Sequence, residues 1–291
     1  MEWVAMAMNI IDPKFKRNGV MTKAVIFFLM VSPGMMIMQA CHPAKSSQHS
    51  AAKSHGKTIQ LFNGKNLDGW YPFVQHRGKN NDVKKVFTVQ DGVIHISGEE
   101  YGSIVTNDEY SNYKLVVEFK WGTHCYEPRK ENARDNGVLI HSAGEDGGYS
   151  GIWMHSIECQ IIEGGTGDFL VVGDGSDKFS LSSHVASQKQ KNSYIFQPGG
   201  DTVTIHGGRI NWYGRDPEWK DVKGFRGHQD IEKPTGEWNS MECIAEGNNV
   251  TIKLNGVLVN QAFDVVPSKG RIQIQSEGAE MFVRKVELQP L

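Results

Sequence analysis

Ile157-Glu158-Cys159-Gln160-Ile161-Ile162-Glu163 alternates apolar and polar side chains with period two, the mark of a β-strand whose two faces meet different surroundings. Ile157, Cys159 and Ile161 share one face, and Glu158 and Gln160 share the other. An acid beside an amide on one sheet face has the makings of a site. Glycine-rich segments bracket the strand, Gly144 to Gly151 before it and Gly164-Gly165-Thr166-Gly167 after it. Such loops let backbone and ligand approach closely. For this segment alone a solvated polar stripe is the competing reading, and the rest of the chain outweighs it.

Working outward, the same short-strand rhythm recurs. Phe87-Thr88-Val89 and Val93-Ile94-His95-Ile96 flank Asp91-Gly92, and Val250 to Leu254 and Val257-Leu258-Val259 flank Asn255-Gly256. Both pairs of turn residues favour the type I′ turn of a hairpin. Tyr113 to Trp121 forms a long strand with mostly apolar odd positions, and Val138-Leu139-Ile140-His141 follows Asn136-Gly137. Thr202 to His206 and Arg209 to Tyr213 are separated by Gly207-Gly208, and Arg271 to Gln275 and Met281 to Leu288 close the chain. About a dozen strands emerge, with no long 3.6-residue periodicity. The expected fold class is all-β: two antiparallel sheets packed face to face. Residues 174–229 break the rhythm with the proline-interrupted aromatic run Asn211 to Trp219, which reads equally as a ligand-contacting loop or as an apolar plug.

The 291 residues carry a net charge of −2 and no basic run, which argues against a nucleic-acid partner. Thr22-Lys23, the apolar run Ala24 to Val31 and the small residue Ala40 before Cys41 resemble an export signal over residues 1–40, with Met21 the expected start. Cys41 resembles a bacterial lipoprotein cleavage site, which makes residues 41–56 a lipidated tether and residues 57–291 the sandwich domain. The expected location is the periplasm or cell surface, with membrane attachment through lipid only. Cys125, Cys159 and Cys243 make an odd set for a disulfide framework, and Cys159 and Cys243 sit among apolar strand positions. The Cys and His spacings contain no zinc signature, and no phosphate-binding or dinucleotide-binding motif occurs; no metal or cofactor is expected.

Several stretches together resemble the 3-keto-disaccharide hydrolase family. They are Leu61 to Trp70, Asp91-Gly92-Val93-Ile94, Tyr110 to Leu115, Asn136-Gly137-Val138 and Glu158-Cys159-Gln160-Ile161, followed by Gly236-Glu237-Trp238-Asn239, Leu254-Asn255-Gly256 and Gly270 to Gln275. They run in the family's order across nearly the whole domain. Two departures stand out: Asp135-Asn136-Gly137 where the family has Asn-Ser-Gly, and the segment around Trp212 to Pro217. The resemblance implies a concanavalin-like jelly roll and cleavage of glycosides whose sugar is oxidised at C3. A C3 ketone acidifies the C2 proton, so cleavage can run by abstraction at C2, elimination of the C1 substituent and hydration. That route needs a base, a stabilised enolate and an acid for the leaving oxygen.

Glu158 is the expected base, with Glu277, on a face shared with Gln273 and Gln275, as its rival. His141 is the expected acid. Gln160 and Asn136 are expected to hold the sugar, and Arg209 and Lys178 to offer positive charge. Trp153 and Trp212 read equally as sugar-stacking rings or as core. Glu158 and Glu163 also stand at the spacing of the carboxylates in concanavalin-fold glucanases, with Gln160 in place of the middle acid. A retaining endoglucanase is therefore the alternative enzyme, and a non-catalytic carbohydrate-binding module the alternative outside catalysis. Replacing Cys41 with Ser is expected to move the protein from the membrane fraction to the soluble fraction on cell fractionation. A variant that still pellets with membranes contradicts the tether.

Overall fold

β-Branched and aromatic runs cut by Gly and Asn leave nothing long enough for a helix, and among the described residues the chain forms strands alone. The structure is a computed structural model that describes residues 56–291. The export signal over 1–40, Cys41 and the tether up to residue 55 lie outside the described residues.

The strands are β1 (Ile59–Gln60), β2 (Trp70–Val74), β3 (Gly78–Lys79), β4 (Phe87–Gln90), β5 (Val93–Ile96), β6 (Gly102–Thr106) and β7 (Tyr113–Cys125). Next come β8 (Asp135–Ala143), β9 (His155–Ile162), β10 (Phe169–Val172), β11 (Ser180–Val185), β12 (Tyr194–Ile195) and β13 (Asp201–Ile205). The last are β14 (Gly208–Asn211), β15 (Asn239–Glu246), β16 (Asn249–Leu254), β17 (Val257–Val266), β18 (Arg271–Ser276) and β19 (Ala279–Pro290). This exceeds the dozen read from pattern, because two-residue strands such as β1, β3 and β12 carry no periodicity to read.

One sheet has the order β13-β11-β17-β16-β15-β7-β19-β5-β4, with β1 on β19; the other has β12-β14-β10-β9-β8-β18-β6-β2-β3. Every pairing is antiparallel except β12 with β14. This is the expected jelly-roll sandwich. Between the sheets, Val138 and Ile140 of β8 and Ile157, Cys159 and Ile161 of β9 join Leu115, Val117 and Phe119 of β7 and Cys243 of β15 in one core. The period-two reading of β9 therefore holds, with Cys159 inside. Asp91 and Gly92 (φ 50° and 76°) and Asn255 and Gly256 (φ 51° and 83°) turn the two hairpins with the positive φ pair that a type I′ turn requires.

The strands flanking Gly207 do not pair with each other. β13 lies on β11 in one sheet and β14 on β10 in the other, so the chain crosses between sheets there. The segment 174–229 is thus partly built into both sheets, and its strands give way after Asn211 to an irregular run that reaches β15.

Cys159 tests the core assignment. Its thiol hydrogen-bonds with that of Cys243, and burial pushes its pKa well up. Cys159→Ser puts a hydroxyl among apolar neighbours and is expected to lower unfolding stability by roughly 1–3 kcal/mol in a urea titration. An unchanged midpoint contradicts the inward orientation.

Candidate active site

Glu158 and Gln160 point from β9 to the face of their sheet opposite the core. Register then decides what stands beside them. Gln160 lies across from Gly137 and Glu158 across from Leu139 on β8. On the other side Glu158 faces Leu170 of β10, which faces Arg209 of β14. Across β8, Leu139 meets Gln273 of β18, and the same register brings Gln275 beside Gly137. Gly137 is a glycine for a spatial reason: a Cβ there would lie 2.4 Å from Glu158 Oε1 and 2.4 Å from Gln275 Oε1. The absent side chain leaves room for a carboxyl and an amide to converge.

Glu158 is only 3% exposed, yet its Oε1 has no hydrogen-bond partner, and neither does either amide atom of the fully buried Gln275. A buried carboxyl without a donor is costly in its charged form. Burial, reinforced by Asp135 and opposed by Arg209, pushes the Glu158 pKa up from 4.5 to about 8. Glu277, in the turn after β18, is pushed well up by burial and then by Asp135 and Glu158, against the pull of Arg129 and Arg209. Asp135 ion-pairs with Arg129 at 3.1 Å and accepts a short hydrogen bond from the Gln160 amide, but burial still raises it to about 6. Three carboxyls and two guanidiniums thus share one water-poor surface.

Aromatic side chains wall this group. Trp153 stacks on Tyr101 with ring centroids 6.4 Å apart, donates from Nε1 to the Gly102 carbonyl at 3.1 Å, and packs with Leu139, Ile152 and Tyr149. The Tyr101 phenol is pushed up by burial and then by Glu277. That of Tyr149 is pushed up by burial and then by Glu158 and Glu277. Both hydroxyls therefore stand in the field of the acids.

Asp168 anchors the next strand. Fully buried, it accepts hydrogen bonds from Arg215 Nη1 at 2.6 Å, from Arg209 Nη1 at 3.2 Å and from the Trp212 backbone N–H at 2.8 Å. Arg215 lies over the Trp219 ring at 4.0 Å, and Trp219 Nε1 donates to the Glu163 carbonyl at 2.9 Å. The part of the aromatic loop after β14 that carries Arg215 and Trp219 is therefore a clamp on the end of β9, and there the plug reading holds.

Of the residues singled out from sequence, Glu158, Gln160, Glu277, Trp153 and Arg209 come together here. The others are placed elsewhere. His141 has φ 53° beside the irregularity between Ile140 and Ala143, which breaks the period-two pattern and turns the ring against core residue Tyr113 at 5.8 Å. Its Nδ1 donates to the Pro267 carbonyl at 2.9 Å, and burial lowers its pKa to about 4. Asn136 also faces the core side, where it accepts from the Glu277 backbone N–H at 2.7 Å and donates to the Ala279 carbonyl at 3.2 Å. It holds the turn that carries Glu277, where a sugar contact was expected.

Glu163 is occupied by Arg134 Nη1 at 2.6 Å, the Arg134 backbone N–H at 3.0 Å and the Gly224 N–H at 2.7 Å. Trp212 is part of the core, and Lys178 is exposed on the loop after β10. Asp135, Asp168, Arg129, Tyr101 and Tyr149 escaped the sequence reading. The parity of Asp135 with Gly137 and Leu139 was the one available signal, since Arg129 and the tyrosines reach the site from loops. Among the described residues no group of three or more His, Cys, Asp or Glu is arranged to hold a metal ion.

Residues 57–289 match the family described as 3-keto-alpha-glucoside-1,2-lyase-like domain. No curated protein matches the chain. Among solved structures, a Parabacteroides distasonis protein provisionally described as a glycosyl hydrolase is similar at 21% identity, covering 81% of this chain and 100% of that one, with a TM-score of 0.45. A second from the same organism has 19% identity, 80% and 94% coverage and a TM-score of 0.46. A Bacillus licheniformis beta-glucanase has 10% identity, 81% and 99% coverage and a TM-score of 0.41.

The raised Glu158 pKa makes stability depend on pH with a definite sign. An acid whose pKa is higher when folded binds its proton more tightly in the native state, so its contribution is complete below pH 4.5 and is lost as pH rises through about 8. Glu158→Gln removes that loss. The variant is expected to match the parent near pH 4 and to exceed it by on the order of 5 kcal/mol well above pH 8 in denaturant titrations. A stability difference that does not change with pH contradicts the buried, unpartnered carboxyl.

Proposed function

The chain belongs to the family of 3-keto-alpha-glucoside-1,2-lyase-like domains, a carbohydrate-active family, and on that premise we propose that it cleaves 3-keto-glycosides, with Glu158 removing the C2 proton. The observation that carries this reading is the buried Glu158 oxygen without a donor, drawn together with Gln275 over the missing side chain of Gly137. A base raised to about 8 is strong enough to take a proton from carbon beside a ketone and still ionises near neutral pH.

Proton abstraction moves the C2–H electron pair into an enolate on O3. Arg209 and Arg129, the cations that act on the carboxyl cluster, supply the opposing field. The enolate then expels the C1 oxygen. Glu277, whose proton is held well above the ordinary carboxyl range, delivers that proton to the leaving oxygen, the role first given to His141. Water adds at C1 of the unsaturated ketone, C2 regains a proton, and the 3-keto sugar is released. Gln275 and Gln160 offer amides to the ring hydroxyls, and Trp153 and Tyr149 give the cleft an aromatic wall that shields the enolate from water. The same reading puts the enzyme outside the cytoplasm, held by lipid on Cys41.

The direct experiment compares a 3-keto-glycoside with its unoxidised parent, using purified full-length protein. Glu158→Gln is expected to lower turnover about 100- to 10,000-fold while sugar binding is retained. kcat/KM is expected to rise with pH up to about 8, as the base ionises. Deuterium at C2 slows the reaction where proton abstraction limits it. Full activity in Glu158→Gln moves the base elsewhere, and equal cleavage of the unoxidised glycoside discards the elimination. Binding without turnover of either substrate leaves a carbohydrate-binding module.

A further inference from the structure

At the edge of the sandwich, where β12, three ladder steps and so about 14 Å from the Glu158 strand, meets β17 of the other sheet, lies a cavity of about 530 Å³. Its floor is apolar, with Ile195, Phe196 and Leu258, and its wall is Tyr213. Gln188, Gln190 and Gln197 line the rest, with Ala186 and Pro198 between them. No ionisable acid or base other than the Tyr213 phenol contributes to the lining.

We propose that this cavity is a second saccharide-binding site, selective for neutral, unoxidised sugar units. Three features carry the assignment. Tyr213 is 42% exposed, a large aromatic surface left facing solvent, and its ring is held edge-on by the buried Trp212 at 5.3 Å and 72°. A fixed, exposed aromatic face beside a recess suits the apolar C–H face of a pyranose. The side-chain amides of the three glutamines make no hydrogen bond to any described residue. Primary amides both donate and accept, so they match hydroxyls, which do the same, whereas a charged ligand would call for an opposite charge that the lining lacks.

The third feature is rigidity. Gln190 sits at the base of a two-residue turn in which Lys191 and Asn192 have φ 45° and 70°, closed by reciprocal backbone hydrogen bonds of 3.0 and 2.8 Å with Ser193. Gln197 is held by its backbone N–H on the His184 carbonyl at 2.9 Å. The amides are therefore carried on ordered backbone, which limits the entropy lost on binding. The cavity opens between the sheets whereas Glu158 faces away from them, so a sugar seated here lies outside the carboxyl cluster.

The inference stands apart from the reaction assigned to Glu158. Its test is calorimetric titration of the full chain with neutral oligosaccharides of glucose and galactose, with a uronic acid oligosaccharide as the charged comparison. At least one neutral oligosaccharide is expected to bind, with affinity falling about tenfold or more in Tyr213→Ala. Gln197→Ala, a surface change that leaves the aromatic packing alone, is expected to weaken the same ligand. Glu158→Gln is expected to leave this binding in place, and Tyr213→Ala to leave turnover of a small 3-keto-glycoside within about twofold. The proposal is overturned if none of the neutral oligosaccharides binds. It is also overturned if Tyr213→Ala and Gln197→Ala bind like the parent, or if the uronic acid oligosaccharide binds more tightly than the neutral ones.

Discussion

A sheet face that carries Asp135, Glu158, Asp168 and Glu277 can be withdrawn from water only if positive charge comes with it. Three guanidiniums meet that need, and each arrives from outside β8 and β9: Arg129 from the loop before β8, Arg209 from β14, and Arg215 from the irregular segment beyond it. Asp168 takes two of the three. Arg129 serves Asp135, and nothing is hydrogen-bonded to Glu158 Oε1. The shortfall in positive charge explains why protons, rather than arginines, stabilise Glu158 and Glu277. It makes those two groups candidates for acid–base chemistry and Asp168 a structural anchor.

The same constraint accounts for the loops. The segment from Trp212 to Phe225 looks superfluous to a sandwich, yet it brings Arg215 to Asp168, Trp219 to the Glu163 carbonyl and the Gly224 N–H to the Glu163 carboxylate. Gly165 allows this closeness, because a Cβ there would overlap Arg215. The glycine-rich stretch after β9 is thus shaped by a guanidinium inside the protein. The turn before β19 is fastened from the opposite side, where Asn136, on the core face of β8, holds the backbone of Glu277. Base and acid candidates therefore hang from β9 and from the end of β18, on either side of β8, by different supports, and Gly137 of β8 between them carries no side chain.

Burial on both faces separates this sheet from an ordinary amphipathic one. β8 is buried at every position from Asp135 to Ser142, although its inward and outward residues differ in chemistry. The core face carries Val138 and Ile140 beside Asn136, while the outer face carries Asp135, Gly137 and Leu139, with Tyr101, Tyr149 and Trp153 packed on Leu139. Low water content raises carboxyl pKa values, and the same cover would protect an enolate once formed. Dryness serves both the resting charge state and the proposed reaction.

Period-two alternation in β9, the Asp91-Gly92 and Asn255-Gly256 turns and the absence of helical periodicity determined the sandwich from sequence alone. Those signals are local, set by side-chain direction along a strand and by φ at turn residues. Alternation also determined that Glu158 and Gln160 leave the core while Cys159 enters it, and that Gln273, Gln275 and Glu277 share a face. Which strands stand side by side was decided only by the tertiary structure. Register across β18, β8, β9 and β10 assembled the cluster and a backbone irregularity turned His141 inward, whereas the core-side position of Asn136 follows from the parity with Val138 that the sequence already carried. Arg129, Arg215 and the two tyrosines joined from loops distant in sequence, because buried carboxyls recruit their partners by proximity in space and no spacing along the chain encodes that.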